Sequence, residues 1–307
     1  MIINRLPVWF RQGIVEDSVF AVLERVSQSN LHTVCQKAHC PNLNSCFKRK
    51  EITFMILGDT CTRSCSFCAV SKVNDKSLFL DQDEPRRLKD LVRDLGLDYI
   101  VITSVTRDDL SDGGAGIFAE SIRQLRALNK GILTEALIPD FKGDGLSLKK
   151  VIASKPDVIA HNLETVGRLY KELKPDSDYR RSLDLLRIVK GSDSGMITKS
   201  SLMLGLGEKE DEVIAAMHDL KNVDCDILTL GKYLSPSARH YPVRNFISPE
   251  EFQEYRRIAL DLGFKAVASG PLVRSSYRAK ELYTAYTQRN CFHPNRETVS
   301  ESIGTVG

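Results

Sequence analysis

The stretch TFMILGDTCTRSCSFC, residues 53–68, decides the fold class of this chain. Its first part is a short apolar run typical of a buried strand, and its second part is a loop with three cysteines. A dinucleotide-binding sheet would need the pattern G-x-G-x-x-G directly after its first strand. Asp59, Thr60 and Cys61 stand there instead. A β/α barrel that carries its chemistry on the loops after the strands therefore fits better.

Apolar strand candidates alternate with amphipathic helix patterns along the rest of the chain. This alternation, repeated six times, predicts a parallel sheet with right-handed crossovers. We therefore expect an α/β fold, a partial (β/α)6 TIM-type barrel with an N-terminal Cys-rich arm and a C-terminal extension. The arm is predicted over residues 1–50, the barrel over 51–270 and the C-terminal segment over 271–307. The six predicted strands are residues 53–58, 99–104, 132–139, 157–161, 196–204 and 226–230.

Several helix ends are marked by their residue types. A helix is predicted to end at Gly96, because glycine favours the left-handed conformation that terminates helices. Another is predicted to begin after Ser248, with Pro249 at its first position and Glu251 completing a capping box. The arm is predicted to contain a helix near residues 14–26.

The charge balance excludes some classes of protein. The chain has 307 residues, 43 of them Lys or Arg and 40 Asp or Glu, so its net charge is +3. A charge this small gives no case for a nucleic-acid-binding surface. The sequence has no apolar run long enough to span a bilayer, and its first dozen residues lack the apolar stretch of a secretory signal. We therefore expect a soluble cytoplasmic protein without nucleic-acid or membrane partners.

Three cysteines in the loop after the first predicted strand have the spacing of a metal-cluster site. Cys61, Cys65 and Cys68 form the pattern C-x3-C-x2-C. Three thiolates so close together can hold three corners of a [4Fe–4S] cube, whose fourth iron then has no protein ligand. Such an open iron is a substrate-binding position. The alternatives are a zinc site that takes a fourth ligand from elsewhere in the chain, or three unrelated buried thiols.

A second cysteine triplet lies just before the first strand. Cys35, Cys40 and Cys46 form the pattern C-x4-C-x5-C. On spacing alone, a second zinc site that uses His39 or His32 is an alternative. The remaining two cysteines, Cys225 and Cys291, have no partner at a ligand spacing, and we interpret them as structural or incidental.

These motifs carry a resemblance to a known family. The stretch CTRSCSFC resembles the signature of the radical S-adenosylmethionine (SAM) superfamily, whose members use a β/α barrel. The second triplet just before that signature resembles the lipoyl synthase family in particular. This family also has an Arg-Ser-Ser-Tyr motif near its end, and residues 274–277 have that sequence here. Alone, this four-residue motif is also compatible with a polar surface turn.

The resemblance implies two [4Fe–4S] clusters and SAM as cofactors. In the superfamily, the open iron binds SAM and an electron cleaves it to a 5′-deoxyadenosyl radical, which abstracts hydrogen from an unactivated carbon. In the lipoyl synthase family, the auxiliary cluster then supplies the sulfur atoms of the product. The resemblance therefore implies a sulfurtransferase that inserts two sulfur atoms, at carbons six and eight of an octanoyl group amide-linked to a lysine.

The ligands of the two clusters follow from the same resemblance. Cys61, Cys65 and Cys68 are expected to hold the catalytic cluster. Cys35, Cys40, Cys46 and one serine of residues 274–277 are expected to hold the auxiliary cluster, and we choose Ser276 over Ser275. A hard alkoxide oxygen is a poorer ligand for iron than a thiolate. The iron at this position is therefore expected to be released more easily, as suits a cluster that is dismantled.

Polar residues at strand ends are candidates for the SAM site. Thr103, Ser104 and Asp108 follow the second predicted strand. Barrel enzymes hold their ligands at this end of the strands. Helix capping and turn formation are the alternative roles for polar residues in this loop.

Three further candidates lie on the later strands. Asn162 and Glu164 follow the fourth predicted strand and could bind the ribose and the ammonium group of SAM, although capping is an alternative for Asn162. Lys199, on the fifth strand, could meet the carboxylate of SAM. We interpret His161 as a core histidine whose hydrogen bonds are satisfied.

The resemblance also implies partners. The expected substrates are octanoylated carrier domains, such as the lipoyl domain of a 2-oxoacid dehydrogenase or the glycine-cleavage H protein. An electron donor such as a flavodoxin or ferredoxin is implied as well. The nearest enzymatic alternatives are biotin synthase and the methylthiotransferases, which lack this pair of motifs. A zinc-stabilised binding module without catalysis is the alternative from another class.

Overall fold

One curved sheet organises the part of the chain that the structure describes. In the computed structural model, the described residues are 16–72, 78–128 and 131–291. The sheet has eight strands in the order β1-β2-β5-β6-β7-β8-β9-β10, and β3 pairs with β4 in a separate small sheet. The strands are β1 His32–Thr33, β2 Thr53–Ile56, β3 Thr60–Cys61, β4 Ser71–Lys72, β5 Tyr99–Ser104, β6 Leu133–Leu137, β7 Val158–Ala160, β8 Ile197–Leu204, β9 Ile227–Lys232 and β10 Ala266–Gly270.

Every neighbouring pair from β2 to β10 in this sheet is parallel, whereas the two-residue β1 is antiparallel to β2. The pairing among the described strands ends at β1 on one side and at β10 on the other, so hydrogen bonds do not close the barrel there. The predicted partial TIM-type barrel is confirmed.

The described part of the chain has eleven α-helices, most of which follow a strand and cover the outside of the sheet. They are α1 Asp17–Gln28, α2 Val34–Lys37, α3 Leu43–Lys48, α4 Glu84–Leu95, α5 Ala115–Leu128, α6 Gly145–Ala153, α7 Tyr170–Leu173, α8 Tyr179–Ser192, α9 Glu210–Lys221, α10 Pro249–Asp261 and α11 Ala279–Cys291. Gly96 caps α4 in the left-handed conformation. Ser248 caps α10 with both bonds of a capping box. Both predicted helix ends are therefore confirmed, and the predicted start of the first helix near residue 14 lies outside the described residues.

Successive side chains of β5 pack in two different hydrophobic clusters, one outside and one inside the barrel. Ile100 and Ile102 of β5 pack in the large core with the surrounding helices. Tyr99 and Val101, on the opposite face of the same strand, pack instead with Ala279 and Tyr283 of α11. Because successive side chains of a strand point to opposite faces, Tyr99, Val101 and Thr103 all face the barrel interior. The helix α11 thus packs against residues of the barrel interior.

A strand that the sequence analysis did not predict completes the sheet. All six predicted strands are present, and β10 follows α10 as a seventh parallel strand that pairs with β9. Its sequence, AVASG, consists mostly of small residues, and it lacks the bulky β-branched run by which the other strands are recognised. The prediction of six barrel strands was therefore one strand short.

The described part of the chain contains no helix that is both long enough and apolar enough to cross a bilayer.

Two cysteine-lined cavities as the candidate functional site

Two cavities, each lined by one cysteine triplet, contain most of the candidate residues. The upper cavity lies at the carboxyl ends of the strands and is lined by Cys61, Cys65 and Cys68. The lower cavity lies beside the beginnings of β2 and β5 and is lined by Cys35, Cys40, Cys46 and Ser276. The seven cysteines whose side chains are described are free thiols. The side chain of Cys291 lies outside the described residues.

The chain turns sharply after β2 to form the loop of the upper cavity. Leu57 and Gly58 both have positive φ angles, 67° and 84°. The amide of Leu57 donates to the buried carboxylate of Glu84 at 2.7 Å, which fixes the turn. The short pairing of β3 with β4 then brings the two ends of the loop together. Cys65 and Cys68 lie between these strands, so the pairing holds all three cysteines near one another.

The sulfur of Cys61 accepts two backbone hydrogen bonds. The amides of Arg63 and Thr106 each donate to Cys61 Sγ at 3.4 Å. Hydrogen bonds of this kind stabilise a metal-bound thiolate and raise the reduction potential of an iron–sulfur cluster. Burial raises the pKa of Cys68 to about 11 and also raises the pKa of Cys65. Without metal these two thiols are therefore protonated at neutral pH, and metal binding releases their protons.

The upper cavity contains four of the six predicted SAM-binding residues. Thr103 and Ser104 line it from the end of β5, and Asn162 and Glu164 line it from the loop after β7. The amide of Asn162 donates to Glu164 Oε1 at 2.9 Å. The cavity encloses about 820 Å³ when its open mouth is included.

Asp108 has a different position from the one expected. It is absent from the described lining of the upper cavity. Its carboxylate accepts two hydrogen bonds from Arg63, at 2.7 and 3.0 Å. Arg63 itself lines the cavity, so Asp108 contacts the cavity through this arginine.

Lys199 is also placed apart from the other candidates. It is not among the described residues that line the upper cavity. Its ammonium donates to both carboxylate oxygens of Glu135, at 2.7 and 3.1 Å, and Tyr99 donates to the same carboxylate at 2.8 Å. All three side chains are buried. The cation is thus neutralised inside the barrel, which does not favour the predicted contact with a SAM carboxylate.

A different lysine occupies the cavity. Lys174 is buried, lines the upper cavity and donates to Tyr170 Oη at 3.0 Å. Burial alone would lower the pKa of Lys174, but Tyr170 and Glu164 more than offset this effect and raise it. The side chain is therefore a buried ammonium. No sequence pattern indicates this role, because Lys174 lies among other charged residues and resembles a solvated surface lysine.

A buried ion network connects the upper-cavity loop to two other elements. Arg63 donates to Asp140 at 2.6 Å and to Ser177 at 3.1 Å, and Arg181 of α8 donates to the other oxygen of Asp140 at 2.7 Å. Burial alone would raise the pKa of Asp140, but the hydrogen bond and charge of Arg63 hold it well below the usual range. Asp140 follows β6, so the strand-end rule used for Thr103 could have identified it.

The lower cavity brings the N-terminal arm and the C-terminal segment together. β1 pairs with the outer edge of β2 and leads into α2, which carries Cys35 and is capped by Thr33. The side chain of Asn42, between Cys40 and Cys46, donates to the carbonyl of Leu272 at 2.6 Å. These contacts place residues that are more than 200 positions apart in sequence around one space.

Ser276 lies at the inner wall of this cavity. Thr53 Oγ1, at the start of β2, donates to Ser276 Oγ at 2.7 Å. Ser276 lines the cavity, whereas Ser275 is absent from the described lining. The segment before it runs close to β9. A Cβ on Gly231 would lie 2.0 Å from the carbonyl oxygen of Val273, so only glycine permits this approach.

Arginines border the lower cavity. Arg49 donates to Cys46 Sγ at 3.7 Å and to Glu51 at 2.9 Å. Arg274 is held by two carbonyl oxygens, those of Val273 at 2.7 Å and Lys232 at 3.2 Å. Burial raises the pKa of Cys35 to about 11 and that of Cys46 to about 12. These thiols, too, are protonated at neutral pH without metal.

Both cavities contain donor sets that fit an iron–sulfur cluster. Each has three cysteine sulfurs around one space, which is the ligand type that [4Fe–4S] clusters require. Within the described residues, no three His, Cys, Asp or Glu side chains converge closely enough to hold a single metal ion. His32 and His39, the histidines of the alternative zinc site, do not line the lower cavity as the structure describes it.

The two cavities are adjacent along one strand. Val101 of β5 lines the lower cavity, and Thr103 lines the upper cavity. These residues share the inner face of β5 and are two positions apart, about 7 Å along a strand. The buried Glu135–Lys199 pair lies at the same level of the barrel, because Glu135 is opposite Val101 in the register.

Comparison with known proteins identifies the relatives of the chain. The family model of the Radical SAM superfamily matches residues 55–220. A lipoyl synthase from Caldicellulosiruptor bescii is 50% identical over 275 residues, which are 89% of this chain and 94% of that protein. The lipoyl synthase of Caldanaerobacter subterraneus subsp. tengcongensis is also 50% identical, over 90% of this chain and 96% of its own length. That of Mycobacterium avium is 49% identical over 92% of this chain and 91% of its own length.

Solved structures with the same fold are more distant in sequence. Methylornithine synthase (PylB) aligns with a TM-score of 0.54 at 15% identity, over 69% of this chain and 62% of its own. Streptococcus suis SuiB bound to S-adenosylmethionine aligns with a TM-score of 0.51 at 14% identity, over 79% of this chain and 56% of its own. At this identity the likeness concerns the fold alone.

Proposed function

The chain belongs to the lipoyl synthase family of the radical SAM superfamily, and from this membership we propose that its two cavities are the two cluster sites of the enzyme. The upper cavity is the site of the radical-generating cluster and SAM. The lower cavity is the site of the auxiliary cluster. The observation that carries this assignment is that each cysteine triplet lines one cavity and that the two cavities are adjacent along the inner face of β5.

The reaction is the one that defines the family. The enzyme is a radical SAM sulfurtransferase that inserts two sulfur atoms, at carbons six and eight, into a protein-bound octanoyl-lysine. When bound, SAM and the two clusters supply the hydrogen-abstracting radical and the inserted sulfur. The protein has to bind the octanoyl chain between the two sites, hold the reacting carbons near both, and exclude water.

In the upper cavity, Cys61, Cys65 and Cys68 would hold the cluster that binds SAM. Thr103 and Ser104 bind SAM from β5, and Asn162 and Glu164 bind it from the loop after β7. This assignment is supported by the position of these four residues around the same cavity as the three cysteines. Asp108 acts through Arg63, which it orients by two hydrogen bonds.

Lys174 takes the role that was expected of Lys199. A buried ammonium that borders the cavity beside Glu164 can pair with the carboxylate of SAM through a charge-assisted hydrogen bond. Lys199 has a structural role instead, since its charge is balanced by Glu135.

In the lower cavity, Cys35, Cys40, Cys46 and Ser276 are the four ligands of the auxiliary cluster. Thr53 donates a hydrogen bond to Ser276 Oγ and so orients this oxygen toward its metal-binding position. An oxygen ligand binds iron more weakly than a thiolate does. Ser276 would therefore be the weakest of the four ligands that hold the cluster.

The two proposed cluster sites divide the chain into an arm, a barrel and a C-terminal segment. The arm, residues 1–50, and the C-terminal segment, residues 271–307, each contribute residues to the lower cavity, and residues 51–270 form the catalytic barrel. Contacts such as Asn42 to Leu272 support this division.

The substrates are octanoylated lipoyl domains. Among these, the lipoyl domains of 2-oxoacid dehydrogenases and the glycine-cleavage H protein are the proposed carriers. A flavodoxin or ferredoxin is the proposed electron donor, and the cytoplasm is the proposed location, because reduced clusters and free thiols persist in a reducing compartment.

Two triple variants test the assignment of the cavities. In one, Cys35, Cys40 and Cys46 are replaced by alanine, and in the other, Cys61, Cys65 and Cys68. The first variant is expected to bind and cleave SAM but to form no lipoyl product, whereas the second is expected to lose SAM cleavage. Each is expected to keep about half of the iron of the native protein, as one cluster per triplet requires. Loss of SAM cleavage in the first variant, with its iron half retained, would contradict the assignment.

A further inference from the structure

The loop between β9 and α10 carries an unusual concentration of positive charge. This loop, residues 234–247, contains turns and bends but no helix or strand. From residue 227 to residue 249 the sequence has no Asp or Glu, whereas it contains Lys232, Arg239 and Arg244. Because the whole chain has a net charge of only +3, this one-sided composition makes the β9–α10 loop a local cationic surface.

The cations of the loop are exposed to solvent. Arg239 and Arg244 are both exposed, and neither guanidinium is in an ion pair with any residue that the structure describes. Phe246 is 67% exposed, and the ammonium of Lys232 lies 4.1 Å from the centre of its ring. Exposed aromatic and arginine side chains are the residue types that protein-binding surfaces favour.

The same loop is hydrogen-bonded to the loop that carries the upper cysteine triplet. His240 Nε2 lies 3.2 Å from the carbonyl oxygen of Cys68, which can only accept, so Nε2 donates. Ser237 Oγ lies 2.8 Å from His240 Nδ1 and therefore donates to it. The amide of Tyr241 donates to the carbonyl of Ser66 at 3.0 Å. Since Ser237 is exposed, hydrogen bonds lead from the protein surface to the backbone of a cluster ligand.

The β9–α10 loop lies outside both cavities. None of residues 234–247 is among the described residues that line the upper or the lower cavity. A carrier domain has to deliver its octanoyl chain into the space between the cavities, whereas an electron donor only has to bring its redox centre close to the upper cluster. The position of the loop, outside the cavities but against Cys68, therefore favours the electron donor as its partner.

We propose that the β9–α10 loop is the docking surface for the electron donor, a redox protein with an acidic surface, and that Arg239, Arg244 and Phe246 contact it. This inference rests on the assignment of the upper cavity as the site of the radical-generating cluster. One electron leaves the reduced flavin or iron–sulfur centre of the donor and enters that cluster. The donor is oxidised and the cluster reduced by one electron each, and no bond forms or breaks.

Opposite charges suit this kind of encounter. Redox partners bind through small, transient interfaces, so that one loop can supply much of the contact on this side. Complementary charge raises the rate of association rather than the affinity alone, and salt screens it. The proposal therefore concerns a rate that depends on ionic strength.

Charge reversal tests the proposal with a matched control. The test variant is Arg239→Glu, Arg244→Glu. The control variant is Lys149→Glu, Arg256→Glu, which changes the net charge equally at exposed positions on α6 and α10. Each cluster-loaded protein receives SAM and an octanoyl-lysine peptide. Reduction comes either from a limiting amount of the hydroquinone of an acidic flavodoxin or from dithionite, a small ion that needs no docking surface. The rate of 5′-deoxyadenosine formation is measured.

The two reductants are expected to give different results. With flavodoxin at low ionic strength, the test variant should be about tenfold slower than the native protein or slower still, as the loss of electrostatic steering requires. With dithionite it should remain within about threefold of the native rate, and the control variant should match the native protein with both reductants. Equal rates for the test variant and the native protein with flavodoxin, or equal slowing with flavodoxin and dithionite, would overturn the proposal.

The native protein provides a second test, which does not depend on the folding of a variant. Its rate with flavodoxin is expected to fall as salt is raised from low ionic strength to about 0.5 M, because the Debye length shrinks. A rate that does not change with salt would overturn the proposal. Failure of dithionite to drive SAM cleavage by the native protein would instead refute the assignment of the upper cavity.

An octanoylated carrier protein distinguishes the two protein partners. With dithionite as reductant, lipoyl formation on an octanoylated glycine-cleavage H protein is compared between the native protein and the Arg239→Glu, Arg244→Glu variant. Equal rates are expected, because the carrier does not use this loop. Slower lipoyl formation on the carrier, together with an unchanged rate of flavodoxin-driven SAM cleavage, would assign the loop to the carrier and overturn the proposal.

Discussion

Ser275 and Ser276 are adjacent in the chain, but only Ser276 is among the described residues that line the lower cavity. Ser276 lines the lower cavity with the three cysteines and is hydrogen-bonded to Thr53, whereas Ser275 is absent from the described lining. Two neighbouring residues with the same side chain thus provide a matched pair for identifying the fourth ligand of the auxiliary cluster.

Ser276→Ala is expected to cleave SAM at a rate within about threefold of the native rate. It is expected to lower lipoyl formation by more than about 100-fold, which exceeds the loss of activity caused by removing a residue that only orients a metal ligand. Ser275→Ala is the control and should retain both activities. The measurement is the amount of 5′-deoxyadenosine and of lipoyl peptide formed per enzyme. Lipoyl formation at the native rate by Ser276→Ala, or its loss in Ser275→Ala alone, would show that the other serine is the ligand.

Substitutions of Lys199 can distinguish a structural role, the ion pair with Glu135, from a role in binding SAM. Replacing Lys199 by Met leaves Glu135 as an unpaired buried charge and is expected to lower the free energy of unfolding by about 3–5 kcal/mol. The double variant Lys199→Met, Glu135→Leu removes both charges and should be more stable than the single one. The double variant is also expected to bind SAM as the native protein does. A loss of SAM affinity of tenfold or more would restore Lys199 as a SAM ligand.

At the scale of the elements, the loop that carries Cys61, Cys65 and Cys68 is held by two kinds of contact. One is the pairing of β3 with β4, which closes the loop on itself. The other is the ion network in which Arg63 joins the loop to Asp140 after β6 and, through it, to Arg181 of α8. The cysteines are thus positioned by elements from the first and the later parts of the barrel.

Asp140→Asn is expected to lower the free energy of unfolding by about 1–3 kcal/mol at pH 7, because it weakens the charge-assisted hydrogen bonds from Arg63 and Arg181 while Asp108 still balances the charge of Arg63. The pKa of Asp140 is lower in the folded protein than in the unfolded chain. The stabilisation is therefore complete above the unfolded-state pKa of about 4 and is lost as the pH falls through the folded-state pKa. Urea unfolding at pH 7, 5 and 3.5 measures it. The opposite result would be a difference in the free energy of unfolding between the native protein and the variant that increases as the pH falls.

At the scale of the whole molecule, the sequence predicted the architecture and the grouping of the cysteines well. The alternation of apolar strands and amphipathic helices identified six of the seven parallel strands, and β10 was missed because AVASG lacks bulky strand residues. Thr103, Ser104, Asn162 and Glu164 were identified from their positions after strands, and they line the upper cavity.

Other features of the site could not be predicted from the sequence. Lys199 and Glu135 are on strands separated by β7, and periodicity indicates which face a residue occupies but not which side chain it meets. The burial of Lys174 and of the His161 ring depends on the path of loops that have no regular pattern. Such tertiary contacts arise between residues that are distant in the chain, and local sequence does not specify them.

The central claim is that the cluster of the lower cavity provides the sulfur of the product. The most direct test is an anaerobic single turnover with clusters rebuilt from sulfur-34 sulfide. SAM, a strong reductant and an octanoyl-lysine peptide are added, and the peptide is analysed by mass spectrometry. This account predicts a peptide with two sulfur-34 atoms and the loss of one cluster per chain. A peptide without sulfur despite SAM cleavage, or one with unlabelled sulfur, would contradict it.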